Sequence, residues 1–322
     1  MKKIQITSKL CGISIGAFFL FSTILASCSK SDDSNGGGGS GTANTTFKVT
    51  DAPIDDASVT AAFVTISDIK LNGVSVSGFT KTTVNLLALQ NGSTQSIGNF
   101  NLSTGTYSNV TFVLDFDTDA SGNTPGSYVM TSGSVKHKLQ SSTNVITATK
   151  TIALIGSGTN EIVADFDLRK MIIHTAGADH YDLATSAELN NDVRLTVENN
   201  TISGTVTDNT VGGAGKIIVY AYKKGTFNRA TELSAQGASG VQFANAVTSA
   251  TVTAGGNYQL HFLDSGAYEL YFASYKDTNA DGEYELQGTL VATVGGGLDL
   301  LNLNLSANAT LTANVTATAV LP

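Results

Sequence analysis

Apolar and polar residues alternate with a period of two along most of the chain after residue 45. Stretches such as TFKVTDA, VTAAFVTISDIKL, YSNVTFVLDFDTD and DVRLTVEN are rich in β-branched and aromatic residues, and Gly, Asn, Ser and Asp separate them. Side chains of a β-strand point alternately to its two faces, so this pattern predicts strands with one buried face. No stretch shows a convincing helical stripe. The chain is therefore predicted to be all-β, and the short spacing between strands predicts sandwiches.

The first 27 residues follow a different pattern. Lys2 and Lys3 precede an uncharged apolar run from Leu10 to Ser27. A basic start, an apolar centre and small residues at the end are typical of a secretory signal, and the run is short for a membrane-spanning helix. The segment Leu25–Cys28 resembles a bacterial lipobox. That resemblance implies that Cys28 is joined to diacylglycerol and becomes the first residue of the mature chain.

Both cysteines are accounted for by this interpretation, because Cys11 lies inside the predicted signal and the second cysteine carries lipid. The mature chain then has no thiol for a disulfide, a zinc site or a nucleophile. Residues 28–45 are polar and glycine-rich, which predicts a flexible tether. The start of the tether, Lys30–Asp33, resembles the acidic export signal of Bacteroidetes lipoproteins, although a solvated linker has the same composition. We expect a protein anchored in the outer membrane through lipid and facing the cell surface.

The net charge of the chain limits the classes of binding partner that we expect. The full chain carries a net charge of −8, and loss of the signal, which has three lysines and no acidic residue, takes it to −11. An acidic surface repels phosphate backbones, and no basic run interleaved with aromatic residues breaks the pattern. Nucleic acid is therefore excluded as an expected partner, whereas a glycan or protein partner stays open.

The turn residues between the predicted strands indicate two domains. In LTVENNTISGTVTD one strand ends, an Asn-Asn turn follows, and a new strand begins, which places a boundary near Asn199. The predicted organisation is a signal at 1–27, a lipidated tether at 28–45, and two tandem β-sandwiches at 46–198 and 199–322.

Each predicted domain resembles a known family. The blocks VTDAPIDDASVTAAFVTISDIKLNG, VNLLALQNG, LSTGTYSNVTFVLDF and ADFDLRKMII occur in the order seen in the bacterial family called domain of unknown function 4382. This resemblance implies a secreted lipoprotein domain without a known activity. In the second half, ISGTVTD, KIIVYAYKKG and residues 255–285 resemble the transthyretin-like or carboxypeptidase-regulatory-like sandwich, with Tyr258 and Tyr268 at its tyrosine positions. That resemblance implies a spacer, a stalk or a carbohydrate-binding module.

The stretch DTNADGEYE is the sharpest candidate for a metal site. Oxygen-bearing side chains at alternate positions, followed by a glycine for the tight turn, are how a loop wraps calcium. Gly288 stands where the bidentate glutamate of such a loop is expected, and a plain Asn/Asp/Gly hairpin turn needs the same residue types. The predicted calcium ligands are Asp277, Asn279, Asp281, Glu283 and Glu285.

Two further stretches carry alternate aspartates. In LDFDTD, Asp115 and Asp117 point away from the core if the intervening apolar residues face it. VADFDLRK repeats the pattern with Asp165 and Asp167. Both sets are expected on solvated faces, where like charges are tolerated. Arg169 or Lys170, which follow Asp167, could supply a cation beside Asp115 and Asp117.

The sequence contains no nucleophile elbow, HExxH motif or phosphate loop, so no enzyme is expected. The first hypothesis is a non-catalytic outer-membrane lipoprotein with a binding or structural role. The alternative is a carbohydrate-binding accessory protein of a surface glycan uptake system, and a hydrolase, which needs two carboxylates within about 10 Å in a cleft, is a third. An exposed cluster of aromatic rings would favour glycan binding, and burial of all the candidate rings would exclude it. The candidate rings are Tyr220, Tyr222, Tyr271 and Tyr275.

Overall fold

The structure is a computed structural model that describes residues 41–52, 58–174, 180–279 and 284–322. Most of these residues lie in β-strands, and the strands form curled sheets that pack as sandwiches. The prediction of an all-β chain built from sandwiches is confirmed. Cys28, the predicted signal and the tether up to residue 40 lie outside the described residues, as do Asp281 and Glu283.

The first sandwich is formed by β1 to β13 in two sheets. One sheet has the strand order β13-β10-β1-β5, and the other has the order β11-β12-β8-β7-β2-β6-β9, with β3 and β4 also paired to β2. The strands are β1 (Thr42–Ala52), β2 (Val59–Leu71), β3 (Val74–Ser75), β4 (Thr82–Asn85), β5 (Gln95–Ser103), β6 (Gly105–Leu114), β7 (Tyr128–Thr131), β8 (Val135–Gln140), β9 (Val145–Leu154), β10 (Asn160–Asp167), β11 (Ile172–His174), β12 (Tyr181–Leu183) and β13 (Val193–Thr196).

Short helices join some of these strands. Helix α1 (Leu168–Met171) follows β10 directly, and α2 (Ser186–Asp192) leads into β13. Two 3₁₀ turns lie at Leu86–Leu89 and Ser132–Ser134. None of the helices within the described ranges is long and apolar enough to cross a membrane.

Strand β1 lies inside its sheet and not at the edge. It pairs in parallel with β10, from Thr45 beside Asn160 to Ala52 beside Asp167, and pairs antiparallel with β5 on its other side. Residues of one parity along β1 and β10 face the core of the first sandwich, where the Phe112 and Phe166 rings meet edge to face with centroids 5.3 Å apart. This alternation is the one expected from the sequence.

The second sandwich is formed by β14 to β22. Its sheet has the order β16-β15-β18-β19-β22-β14-β17, and β20 and β21 pair with β18 and β14. Strands β16 and β17, at the two ends of this order, contact each other, so the sheet curls round. The elements are β14 (Asn200–Asp208), β15 (Lys216–Lys223), α3 (Arg229–Glu232), β16 (Thr248–Thr251), β17 (Asn257–Leu263), β18 (Gly266–Lys276), β19 (Glu285–Val294), β20 (Leu303–Leu305), β21 (Thr310–Thr312) and β22 (Val315–Leu321).

Two apolar clusters fill the second sandwich. In the larger one, Tyr258 and Phe272 meet edge to face with ring centroids 5.5 Å apart. The smaller one lies on the other face of β15 and contains Tyr220, stacked on Phe243 at 4.1 Å. Tyrosines are buried in both clusters, and their hydroxyls reach partners, as Tyr258 does by donating to the Ala313 carbonyl.

The two sandwiches share no strand but pack against each other. The first ends with β13 at Thr196, and the second begins with β14 at Asn200. Strand β10 is buried on both of its faces, because one face covers the first core and the other faces the second sandwich. The surface between the sandwiches is therefore built on polar residues of β10, α1 and β13.

Candidate functional site: a charged cleft between the two sandwiches

Strands β10 and β13 place charged side chains on the face that meets the second sandwich. In their antiparallel register Asp165 lies beside Arg194, and the Arg194 Nη2 donates to Asp165 Oδ2 at 2.6 Å. The Arg194 Nη1 donates to the main-chain carbonyl of Phe262 in β17. One guanidinium thus joins an aspartate of the first sandwich to the backbone of the second.

Helix α1 supplies two more cations at the same face. Arg169 donates to the Gln242 carbonyl at 2.6 Å and to the Phe243 carbonyl at 3.2 Å, while Lys170 donates to the Ala246 carbonyl at 2.7 Å. Both cations also pair with Asp167, at 3.4 and 3.2 Å. Hydrogen bonds from buried charged donors are stronger than neutral ones, so these contacts hold the segment before β16 against the first sandwich.

The expectation that Asp165 and Asp167 lie on a solvated face is wrong. Their exposed fractions are 6% and 5%, because the second sandwich covers the face to which they point. Burial raises the pKa of Asp165 despite the nearby Arg194. For Asp167 burial acts in the same direction, but Arg169 and Lys170 outweigh it and hold the pKa below its ordinary value.

The contact leaves a cleft of about 580 Å³ between the sandwiches. Volumes of this size are typical of small-molecule sites, which often lie between domains. At its rim Lys150 of β9 pairs with Asp264 at 2.5 Å, and Thr196 donates to the same carboxylate at 3.0 Å. The charged side chains that line the cleft are Lys150, Asp165, Asp167, Lys170, Asp192, Arg194, Lys223 and Asp264.

Asp192 is the most unusual group in the cleft. It is the last residue of α2, its exposed fraction is 8%, and its Oδ2 is buried without a hydrogen-bond partner. Burial raises its pKa to about 7, against the opposing effect of Lys170. A buried carboxyl group without a hydrogen bond is costly, and a strongly shifted pKa in a cleft is a mark of functional sites.

Asp192 is held in place by the start of its own helix. Thr185 and Glu188 form a reciprocal capping box at the N-terminus of α2. The Glu188 carboxylate also accepts a hydrogen bond from the Ser239 hydroxyl of the second sandwich at 2.7 Å. These bonds outweigh the effect of burial and lower the pKa of Glu188 to about 2. Helix α2 is therefore fixed to both sandwiches.

The predicted calcium loop is described only in part. Glu285 Oε2 accepts hydrogen bonds from the backbone amide and hydroxyl of Thr278, at 2.8 and 2.9 Å, which is a turn arrangement. Asp277 and Asn279 lie in the same turn, whereas Asp281 and Glu283 lie outside the described residues. Within the described ranges no group of three or more His, Cys, Asp or Glu is placed to hold a metal ion. Calcium binding stays a prediction.

The other aspartate set does lie at the surface, but its cations differ from the expected ones. Lys81 contacts Asp115 at 2.7 Å, and Lys138 contacts Asp117 at 2.7 Å. The Arg-Lys pair of α1 is instead buried between the two sandwiches. The hydrogen bond from Lys81 is the main cause that lowers the pKa of Asp115 to about 2.

The candidate glycan-stacking tyrosines do not form an exposed cluster. Tyr220, Tyr222 and Tyr275 are buried, and the hydroxyls of Tyr220 and Tyr275 are 2.7 Å apart. Tyr271 is half-buried and stacks on Phe227 with ring centroids 3.5 Å apart. These four residues therefore do not supply the exposed cluster that would favour glycan binding, although Tyr271 is not buried.

Sequence reasoning did not single out Asp192 or Arg194. Both lie in NDVRLTV, where charged and apolar residues alternate just before a strand ends. This alternation predicts a strand but does not by itself identify an interface. A charged residue directly before the strand and another on its outward face are the signal that could mark this face as an interface.

Comparison with known proteins supports the resemblance of the first half. Residues 42–185 match the family described as "Domain of unknown function (DUF4382)". No curated protein matches the chain.

Several solved structures align over most of the chain at low similarity. A leucine-rich repeat protein from Bacteroides thetaiotaomicron is 14% identical, with 88% of this chain and 27% of that chain covered and a TM-score of 0.23. BcpA, the major pilin subunit of Bacillus cereus, is 10% identical, with coverage of 86% and 70% and a TM-score of 0.23. The fimbrial anchor protein Mfa2 from Porphyromonas gingivalis is 12% identical, with coverage of 85% and 90% and a TM-score of 0.19.

This chain thus spans 27% of the length of the first of these proteins. TM-scores this low do not establish a shared fold.

Proposed function

We propose that this protein is a non-catalytic lipoprotein of the outer membrane that faces the cell surface and has a structural or binding role. In this role Cys28 carries the lipid, residues up to about 45 form the tether, and the two sandwiches are presented as one rigid body. The signal-like start, the lipobox resemblance and the acidic residues after Cys28 support the anchor and its destination.

The contacts between the two sandwiches support the structural role. Buried Arg169, Lys170 and Arg194 donate to main-chain carbonyls of the second sandwich, so the two sandwiches are joined by directed bonds and not by a loose linker. Rotation of one sandwich against the other would leave charged groups buried without partners, at a cost of several kcal/mol by typical values. A fixed arrangement suits a protein that holds a surface at a set distance from the membrane.

The other functions have less support. The glycan-binding alternative loses its aromatic platform, since three of its four tyrosines are buried. The hydrolase alternative needs a pair of carboxyl groups free to act on a substrate. Of the four carboxyl groups that line the cleft, Asp165, Asp167 and Asp264 are each engaged by a cation, which leaves Asp192 alone.

Metabolic labelling with an acyl precursor tests the anchor. We expect labelled wild-type protein in the outer-membrane fraction, digestible by protease added to intact cells. The Cys28→Ala variant should carry no label and should be found unanchored, with an unchanged circular dichroism spectrum. Absence of label from the wild-type protein would overturn the anchor, and protection from external protease would overturn the outward orientation.

A further inference from the structure

The charged groups of the cleft can be sorted by sign and partner. Four cationic and four carboxyl side chains line it. Three pairs form between them, with N–O distances of 2.5, 2.6 and 3.2 Å. Among the described residues, Asp192 and Lys223 are left without an ion-pair partner. The cleft therefore holds one surplus group of each sign.

Asp192 lies on the wall contributed by the first sandwich. In the register of β13 with β10, Val193 lies beside Phe166 of the core and Arg194 beside Asp165 of the cleft. Asp192, the last residue of α2, immediately precedes β13 and lines the cleft together with Arg194. The carboxyl group is more than nine-tenths buried, and the two nearest cations, Arg169 and Lys170, already bind Asp167 and backbone carbonyls.

Lys223 lies on the opposite wall, at the end of β15 in the second sandwich. Its ammonium donates to the Tyr268 hydroxyl at 2.6 Å and lies 4.1 Å from the centre of that ring. A phenol hydroxyl orients the ammonium but does not neutralise it. Burial is the main cause that lowers the pKa of Lys223, and the nearby Asp264 opposes it.

We propose that the cleft binds a small zwitterion, with the ligand's ammonium group on Asp192 and its carboxylate on Lys223. A ligand with both charges would pair the two surplus groups at once, and a ligand with one charge would leave the other group unpaired. The cleft volume of about 580 Å³ accommodates an amino acid or a short peptide. This binding activity goes beyond the structural role proposed above and does not depend on the lipid anchor.

A series of ω-amino acids tests the proposal and measures the span between the two groups. The full chain in detergent is titrated by calorimetry with glycine, γ-aminobutyrate and ε-aminocaproate, and with hexylamine and hexanoate as single-charge controls. We expect one length to bind best and both single-charge compounds to bind at least about tenfold more weakly, because each lacks one charged hydrogen bond.

Two substitutions assign the binding to the cleft. Asp192→Asn and Lys223→Gln should each weaken binding of the best zwitterion at least about tenfold. The exposed pair outside the cleft supplies matched controls, since Asp117→Asn and Lys138→Gln make the same chemical changes and should leave binding unaltered. Thermal melting of each variant verifies that it is folded. The proposal is overturned if no member of the series binds, if a single-charge compound binds equally well, or if both cleft variants bind like wild type.

Discussion

LDFDTD and ADFDLR share one pattern, alternate aspartates among apolar residues, yet the structure gives them opposite surroundings. Asp117 has a side-chain exposure of 84%, whereas Asp167 has 7%. Both patterns place their apolar residues in the core of the first sandwich. The difference arises on the other face, which is open to solvent at Asp117 and covered by the second sandwich at Asp167. The alternation of residues along a strand thus identifies the face that is buried in the strand's own domain. It does not identify a face that a neighbouring domain covers.

Removal of a buried cation should have the largest effect. Arg169→Ala would leave two carbonyls of the second sandwich without a charged donor and Asp167 with a single cation. We expect a loss of about 3 to 5 kcal/mol in the free energy of unfolding, measured by urea titration. Lys138→Ala, which breaks the exposed pair with Asp117, should cost less than about 1 kcal/mol. Equal losses from the two substitutions would contradict the contrast between the two faces.

The unpaired carboxyl of the cleft predicts a pH effect of unusual sign. Because the folded-state pKa of Asp192 is about 7 and its unfolded value is near 3.9, the folded state holds the proton more tightly, and this group makes the protein less stable as pH rises from about 4 to 7. Asp192→Asn removes the ionisation and should raise the free energy of unfolding by about 2 to 4 kcal/mol at pH 8, with little change at pH 4.

Urea titrations of wild type and variant across this range are the measurement. Asp117→Asn, in the exposed set, is the control and should show no such gain. A gain from Asp192→Asn that is the same at every pH would show that ionisation is not its cause.

The third acidic stretch, Asp277–Glu285, tests whether acidic residues close together in sequence can recruit a metal. If the loop binds calcium with the weak affinity of extracellular modules, about 10 mM calcium should stabilise the fold by about 1 to 3 kcal/mol. The rise in melting temperature should disappear with chelator and in Asp281→Ala. Asp299→Ala, in another exposed loop of the second sandwich, should keep the response. Equal melting of wild type with and without calcium would leave the hairpin-turn interpretation.

The smallest effect is expected at the surface set itself. The pKa of Asp115 is about 2 in the folded state, which is below its unfolded value. The ionised Asp115 therefore stabilises the fold above about pH 4, and this contribution is lost as pH falls towards 2. Asp115→Asn should cost less than about 1 kcal/mol at pH 7, because the ion pair is partly solvated, and the cost should disappear as pH falls below about 2. Asp115→Asn made in the Lys81→Met variant measures how much of this loss of stability depends on the lysine. An undiminished loss in that variant would assign the effect to the backbone amides that donate to Asp115.

Local rules predicted much of the fold. Alternation identified strands such as β1, β6, β10 and β13, and the family resemblance of the first half is supported by the match over residues 42–185. The cleft could not be predicted in the same way, because its pairs join positions far apart in sequence, as Lys150 and Asp264 do. The cation predicted beside Asp115 and Asp117 was wrong for a related reason. The sequence does not place Lys81 near Asp115, since only tertiary structure brings β4 and β6 onto neighbouring positions of β2.

The interior position of β1 has a mechanical consequence for a protein held by its N-terminus. Thr42 begins the first described strand, and that strand is bonded along its length to β10 on one side and β5 on the other. A pull directed along the axis of β1 would load both ladders in shear, so their hydrogen bonds would have to break together. An edge strand pulled from its end would peel away one bond at a time. In the anchored state proposed above, tension from a membrane would therefore meet two β-ladders instead of one.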